Sequence, residues 1–335
     1  MVSTNKISEP AKKEIKDWKT YIFCGVVATF IIVELVFIRA GKSFVSAVYP
    51  FLSNVNELLF NGVIGEGGTA LLSLYGVSIT MMLFFFLLLF IIKPWRKYFR
   101  AFSTAPSGNK PHMLLVGLFV GFAMNSLCIL AAVFTGSIQL QFAQFNVFGF
   151  ALFLVFVFLQ SSYEEMLCRG FAYKRLKRTY NTTVAIIAAS SFFSLAHIFN
   201  AGVTPLALLS IFFIGVFFSL MVRYFDSIWL PMGAHAGWNF TQNILFGLPN
   251  SGHPSTYSIF QIVGDTTNGI AYDTVFGVES SICAVVLEAL CIVVLWLWGR
   301  KHGKKQDFDI WDGEDTSASD ASTKNPLRKL ASWFY

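Results

Sequence analysis

Eight long apolar segments recur along this chain of 335 residues, and they restrict its fold more than any other feature. A helix needs about 20 mainly apolar residues to cross the hydrocarbon core of a bilayer. The segments that reach or approach this length are 21–38, 69–92, 113–134, 145–160 and slightly beyond, 183–199, 205–222, 229–248 and 280–298. Because a backbone in lipid must satisfy its own hydrogen bonds, the sequence predicts an all-α polytopic membrane protein with about eight transmembrane helices.

Composition excludes the soluble alternatives. Charged residues make up 13% of the chain, against roughly 25% in an ordinary globular protein, so too few are present to cover a surface in water. All five cysteines lie within apolar runs, which predicts reduced thiols rather than a disulfide framework. The net charge of +6 does not indicate a nucleic acid partner, because the basic residues follow a pattern typical of membrane topology.

The basic residues are concentrated in alternate connections between the apolar segments. They lie in the N-terminal leader, in 93–110, in 174–178, at Arg223 and in the tail. Of the 25 Lys and Arg residues, only Arg39 and Lys42 fall in the other connections, and Arg169 lies within a span. Because cytoplasmic loops carry the excess of Lys and Arg, we expect both termini to be cytoplasmic and the connection 249–278 to face outward.

Three parts of the chain follow from this pattern. Residues 1–20 form a lysine-rich cytoplasmic leader, and the first span after it is predicted to be a retained anchor rather than a signal peptide. Residues 21–299 form the eight-span membrane domain. Residues 300–335 form a cytoplasmic tail whose acidic and Ser/Thr-rich stretches predict disorder.

Polar side chains that could take part in catalysis or ligand binding lie within three of the predicted spans. Ionisable groups at the centre of a span cost at least about 2.5 kcal/mol each, so they are candidates for function. The set consists of Glu164, Glu165 and Arg169 in the fourth span, His197 in the fifth, and His235 and Asn239 in the seventh. With a rise of about 1.5 Å per residue, Glu164, His197 and His235 fall in one layer, roughly 10 Å inside the cytoplasmic boundary. We therefore expect a hydrophilic cavity there that opens toward the cytoplasm.

The spacing within each motif indicates a division of roles. Glu165 and Arg169 are four residues apart on one helix, a spacing that favours a structural ion pair. The adjacent Glu164 points elsewhere and is expected to lack a local partner, which leaves its carboxylate available as a general base. His235 and Asn239 are also four residues apart and could both donate to a developing oxyanion.

Together the motifs Glu164-Glu165-x-x-x-Arg169, Phe193-x-x-x-His197 and His235-x-x-x-Asn239 resemble those of the CPBP family of intramembrane proteases. This family includes CAAX prenyl endopeptidases of the Rce1 type and bacterial relatives linked to bacteriocin self-immunity. The resemblance covers a protease core of about 145–248 and implies hydrolysis of a peptide bond in a membrane-associated peptide or a prenylated protein. It also implies a multi-pass protein in a lipid bilayer, expected to be the cell membrane of a bacterium.

The resemblance assigns a catalytic role to each motif. Glu164 and His197 would activate water, His235 and Asn239 would stabilise the oxyanion, and Glu165 with Arg169 would be structural. No cofactor is required by this glutamate-type interpretation. Zinc remains the second option, because Glu164, His197 and His235 are residue types that form catalytic zinc sites, although the His-Glu-x-x-His signature is absent.

A non-enzymatic function also stays open. The same polar groups would suit a non-catalytic membrane scaffold or a bacteriocin self-immunity factor that binds peptides or other membrane proteins. A transporter is less favoured, because the sequence shows no repeat symmetry and its buried polar groups fall in one layer.

Overall fold

The computed structural model describes residues 9–60 and 64–302, without the side chains of 9–17, 34, 52, 53 and 55–60. Its helices are α1 (Glu9–Ile32), α2 (Ile38–Phe60), α3 (Gly65–Ile91), α4 (Phe99–Phe102), α5 (Pro111–Phe134), α6 (Val147–Glu165), α7 (Lys174–Thr179), α8 (Thr182–Leu195), α9 (Pro205–Phe225), α10 (Trp229–Asn239) and α11 (Ile282–His302). The first eight residues of the predicted leader and the predicted tail from residue 303 lie outside the described residues, so the division into three parts stays a prediction.

Shorter elements connect or extend these helices. Segments Val33–Phe37, Met166–Tyr173 and Phe240–Leu245 are π-helical, and Lys93–Tyr98 and Val278–Ser280 are 3-10 turns. Strands β1 (Gln139–Phe142) and β2 (Phe260–Val263) pair in antiparallel register, with Gln139 opposite Val263. This two-stranded sheet joins the connection before α6 to the connection before α11.

The class of an all-α polytopic integral membrane protein is confirmed. In the described part of the chain, six helices are long and apolar enough to cross a membrane: Trp18–Phe51, Gly65–Ile91, Pro111–Phe134, Val147–Thr179, Pro205–Phe225 and Ile282–His302. Two of the eight predicted spans are shorter. The fifth forms α8, which has 14 residues and a length of about 21 Å, and the seventh is divided between α10 and a π-helical turn. The count of eight and the cytoplasmic termini stay predictions.

Side-chain caps fix where the helices near the motifs begin. The Asn146 side chain accepts hydrogen bonds of 3.0 Å from the backbone of Phe148 and Gly149 at the start of α6. Asn181 caps α8 in the same way, and Thr204 caps α9. These caps satisfy backbone N–H groups that have no partner inside the helix. The first residues of α6, α8 and α9 are therefore fixed by side-chain caps.

Four glycines bring α5 and α10 into backbone contact. A Cβ atom on Gly117 or Gly121 would lie 2.1 Å from the carbonyl oxygen of Leu230 or 1.9 Å from that of Ala234. On α10, Gly233 and Gly237 approach α5 just as closely, since a Cβ on either would lie 2.2 Å from a carbonyl oxygen of that helix. Small residues spaced by four allow such approaches between membrane helices. The crossing places the His235 and Asn239 face of α10 toward α6.

Candidate active site

Two of the three motif-bearing helices, α6 and α10, change from α to π geometry at the candidate residues. The α6 helix ends at Glu165 and continues as the π-helical segment Met166–Tyr173, so Glu165 and Arg169 lie on either side of the change. The α10 helix ends at Asn239 and continues as Phe240–Leu245. A π-helical turn inserts an extra residue and shifts the side-chain faces that follow it. The second half of each helix thus presents a different face from the first half.

Arg169 and Glu165 form a fully buried ion pair. Nη1 of Arg169 donates to Oε1 of Glu165 at 2.8 Å, and both side chains have no exposed surface. Nη2 donates to the carbonyl oxygen of Gly215 in α9 at 2.9 Å. The guanidinium carbon lies 4.6 Å from the centroid of the Phe193 ring. These contacts connect the first motif to α8 and α9, which suits a structural role.

His235 lies between the two adjacent carboxylates. Its Nδ1 is 3.0 Å from Oε1 of Glu165, and its Nε2 is 3.7 Å from Oε2 of Glu164. The rings of Phe193 and Phe218 lie 5.6 Å from the imidazole centroid. Glu165 therefore contacts two cationic or potentially cationic groups, Arg169 and His235, rather than Arg169 alone.

Glu164 has a local partner that sequence reasoning missed. The side chain of Gln160, one turn earlier on α6, donates a short hydrogen bond from Nε2 to Oε1 of Glu164. The expectation that Glu164 lacks a local partner was wrong, because Gln160 is four residues away on the same face. The amide of Asn239 donates in turn to Oε1 of Gln160 at 3.1 Å and to Oγ of Ser161 at 3.3 Å. An amide chain thus links the third motif to Glu164, whose side chain is 23% exposed.

His197 lies in a turn just beyond α8, not within a span as the sequence predicted. Its Nδ1 is 2.8 Å from the carbonyl oxygen of Phe193. Because a carbonyl only accepts, this contact places a proton on Nδ1 and leaves Nε2 of a neutral imidazole as an acceptor. The Phe193 ring packs against both His197 and His235, with centroid distances of 5.2 and 5.6 Å. His197 and Glu164 line one cavity without forming a direct pair.

Glu279 is a second residue at this site that the sequence did not reveal. Its Oε1 accepts from the indole nitrogen of Trp238 at 3.2 Å. Its Oε2 accepts from the backbone and hydroxyl of Ser251 at 2.6 and 2.9 Å. Burial raises the pKa of Glu279, while these donors and the nearby His197 act in the opposite direction. Glu279 is a single carboxylate before an apolar run and belongs to no recognisable motif, so nothing in the sequence marks it as a residue of the site.

A cavity of about 840 Å³ is lined by Gln160, Glu164, His197, His235, Asn239 and Glu279, whereas the buried pair Glu165 and Arg169 does not line it. Besides the motif residues, its wall includes Arg39, Lys42, Asn200, Ser251 and His253. All five belong to the connections that are predicted to face outward. The expectation of a cavity that opens toward the cytoplasm therefore conflicts with the expectation that the basic connections are cytoplasmic, and only one of the two can hold.

The donor set does not fit the zinc site that was considered from the sequence. In the part of the chain that the structure describes, no group of three His, Cys, Asp or Glu side chains is placed to hold a metal ion. Both ring nitrogens of His235 face the carboxylates of Glu164 and Glu165, and Nδ1 of His197 faces a backbone carbonyl. This arrangement gives no support to the predicted ligand set of Glu164, His197 and His235, and zinc dependence is left to experiment.

Comparison with known proteins supports the resemblance drawn from the motifs. Residues 146–241 match the family model described as type II CAAX prenyl endopeptidase Rce1-like. The matched segment contains all three motifs, from Glu164 to Asn239, so the predicted resemblance is confirmed over this part of the chain. No curated protein and no solved structure matches the chain. This segment is therefore similar to a family of CAAX-type membrane peptidases, and the match leaves the catalytic class open.

Proposed function

We propose that this protein is a membrane-embedded endopeptidase in which the carboxylate of Glu164 activates water. The observation that carries the proposal is the position of Glu164. Its side chain is 23% exposed, lies 3.7 Å from Nε2 of His235 and lines a cavity of about 840 Å³. The segment that holds this geometry is the one that matches the peptidase family. The substrate class is a membrane-associated peptide, for which a prenylated C-terminus is one form.

Glu164 acts as general base and then as general acid. It removes a proton from water as the water oxygen bonds to the carbonyl carbon of the substrate. The same proton passes to the amide nitrogen as the C–N bond breaks, so that a carboxylic acid and an amine are released. Oε2 of Glu164 is buried and has no hydrogen-bond partner within the described residues, so its lone pairs can accept the proton once water has entered beside it. His197 accepts through Nε2 from the opposite wall and orients the attacking water.

His235 stabilises the oxyanion in its doubly protonated form. Because Nδ1 donates to Glu165, a second donor at Nε2 exists only in the imidazolium. In that form the oxyanion contact depends on Nε2 of His235, which lies 3.7 Å from Oε2 of Glu164.

Asn239 acts on Glu164 through Gln160. The resemblance implies a direct oxyanion role for Asn239, but its amide is engaged by Gln160 and Ser161. The hydrogen bonds run from Asn239 to Gln160 and from Gln160 to Glu164, which orients the carboxylate toward the cavity. We therefore assign Asn239 a positioning role, and an oxyanion contact would require its side chain to rotate.

The decisive variant is Glu164→Gln, with Glu66→Gln as its matched control. Glu66 is an exposed carboxylate in the first turn of α3 and does not line the cavity. General acid–base catalysis contributes about 10²- to 10⁴-fold, so we expect Glu164→Gln to lower kcat/KM by at least about 100-fold. Cleavage would be measured on prenylated and plain fluorogenic peptides, with and without a zinc chelator.

Each outcome of that experiment assigns a mechanism. Loss of cleavage in Glu164→Gln alone, without sensitivity to the chelator, supports the glutamate mechanism. Sensitivity of the wild type to the chelator would instead support a zinc enzyme. Full activity of Glu164→Gln would overturn the proposal, and a cellular phenotype that survives the substitution would favour the scaffold or immunity role.

A further inference from the structure

We propose that the site is entered from the extracytoplasmic face, so that its substrates are peptides presented at the outer surface of the membrane. That the entering molecule is a substrate rests on the proposed peptidase function, whereas the route of access is argued from separate observations. These are the residues at the mouth of the cavity, the packing that closes its other end, and the distribution of basic residues.

One end of the cavity is lined by polar residues from the connections on one side of the bundle, and we take this end to be its mouth. Arg39 and Lys42 contribute from the start of α2, Asn200 from the connection after α8, and Ser251 and His253 from the connection after α10. By contrast, no residue of the basic connections 93–110, 174–181 and 223–228 lines the cavity in the described structure.

Hydrogen bonds hold these connections around the mouth. The amide of Asn200 donates to the carbonyl oxygen of Ser251 at 2.9 Å. Ser251 is fixed in turn by the carboxylate of Glu279. His253, two residues further along, is exposed. It lines the same cavity as His197, Glu164 and Lys42. A peptide that enters past His253 therefore reaches Glu164 along the wall that carries His197.

Aromatic packing closes the opposite end. The ring of Phe171, two residues beyond Arg169, lies 4.9 Å from the ring of Trp95 and 4.8 Å from that of Tyr98. Phe171, Tyr98 and Tyr173 are each at most 2% exposed. They fill the space between the Glu165–Arg169 pair and the basic connections. A substrate from the basic face would have to displace this buried cluster.

The distribution of charge identifies the open end as extracytoplasmic. Apart from Arg39 and Lys42, the connections on the side of the mouth carry no Lys or Arg, whereas the connections beyond the aromatic floor are rich in both. Basic loops remain on the cytoplasmic side of a membrane. The protein would then act on secreted or outward-facing membrane peptides, and of the substrate forms proposed above a prenylated C-terminus would qualify only when it is presented at the outer surface.

Cysteine labelling in intact cells tests the route without requiring activity. The five native cysteines would be replaced by serine, and either His253→Cys or the control Thr104→Cys would be introduced. Thr104 is exposed in the basic connection 93–110. We expect a membrane-impermeant maleimide to label His253→Cys in intact cells and Thr104→Cys only after permeabilisation. The reverse pattern would overturn the proposal.

Sealed vesicles supply a second measurement that uses the wild-type chain. A membrane-impermeant fluorogenic peptide would be added to right-side-out and to inverted vesicles. We expect faster cleavage by right-side-out vesicles, and faster cleavage by inverted vesicles would contradict outward access. If labelling shows outward access while neither vesicle preparation cleaves, the access route stands and the peptidase function fails. If the cysteine-free background does not accumulate, the vesicle comparison decides.

Discussion

Adjacent glutamates at the site have different partners, and this difference is the basis of the separate roles proposed for them. Glu165 holds Arg169 at 2.8 Å and His235 at 3.0 Å and is fully buried. Glu164 is partly exposed and approaches only the Nε2 side of the same imidazole, at 3.7 Å. Successive residues on a helix point about 100° apart, so one carboxylate faces the packed interior while the other faces the cavity. Only the second is placed to exchange a proton with water.

Glu279 should make stability depend on pH. Burial raises its pKa above the ordinary value of 4.5, so the folded state holds a proton that the unfolded state has already lost. Stability therefore falls as pH rises from about 4.5 to the raised value, by at most about 1.4 kcal/mol per pH unit. The substitution Glu279→Gln removes this dependence. We expect the Tm of the variant, relative to wild type, to be higher at pH 8 than at pH 5.

Thermal unfolding in detergent at the two pH values would measure this difference. Glu66→Gln is the matched control, because Glu66 is exposed and should leave the pH dependence unchanged. An identical pH dependence of Tm in wild type and Glu279→Gln would show that the buried carboxylate does not retain its proton in the folded state.

At the residue scale, the sequence predicted contacts within a helix better than contacts between helices. The Glu165–Arg169 spacing of four residues is a local rule, and the structure shows that pair. The contact of His235 with Glu165 joins residues 70 positions apart, and it depends on how α10 packs against α6. Gln160 lies at the same spacing of four residues from Glu164, but it belongs to none of the three motifs and carries no charge that would mark it as a partner.

At the scale of elements, the close contact between α5 and α10 positions the third motif. A Cβ on Gly121 would lie 1.9 Å from the carbonyl oxygen of Ala234, so Gly121→Ala must push the helices apart. Overpacking of this kind costs about 1–3 kcal/mol, and small displacements of catalytic groups can cost roughly 100-fold in rate. We expect Gly121→Ala to lower Tm and to lower kcat/KM by at least about 10-fold.

Gly25→Ala is the control for that substitution. Gly25 lies in α1, and a Cβ there would meet no atom within 4 Å. It should leave Tm and kcat/KM close to the wild-type values. If Gly121→Ala and Gly25→Ala behaved alike, close approach of α5 and α10 would not be required for the site.

At the scale of elements, apolar length predicted where helices occur but not where two of them end. The fifth predicted span ran to residue 199, whereas α8 ends at Leu195 and a turn carries His197. The Asn200–Ala201–Gly202 stretch beyond it, with Gly202 at φ 71°, marks the start of a different backbone path. Hydropathy does not register this change, because Ile198 and Phe199 are as apolar as the helix itself. His197 therefore reaches the cavity from a turn rather than from a helix face.

At the scale of the whole molecule, orientation follows from charge but the open end of the cavity does not. The excess of Lys and Arg in alternate connections can be read directly from the sequence. Which end of the bundle is sealed depends on the packing of Trp95, Tyr98 and Phe171. These aromatic residues follow no spacing rule, since two of them come from a connection and the third from a π-helical segment. The expected cytoplasmic opening and the expected cytoplasmic position of the basic connections therefore cannot both hold, and the sequence alone does not show which of them is right.

A basic mouth should select substrates by charge. Arg39 and Lys42 line the cavity and are exposed, so they attract acidic peptides through a field that salt screens over about 10 Å at 0.1 M. We expect Arg39→Gln with Lys42→Gln to raise KM for an acidic peptide about 3- to 10-fold at low salt, with little change in kcat. The KM of a matched peptide with Gln in place of its acidic residues should stay constant, and at 1 M salt the difference should largely disappear.

The pair Lys93→Gln and Lys110→Gln provides the matched control on the basic face. Both lysines are exposed, and neither lines the cavity. Because the aromatic floor separates them from Glu164, their removal should leave KM for the acidic peptide unchanged. If this control raised KM while the Arg39 and Lys42 substitutions did not, substrates would have to approach from the basic face. Steady-state kinetics at two salt concentrations would therefore test both the charge of the mouth and its location.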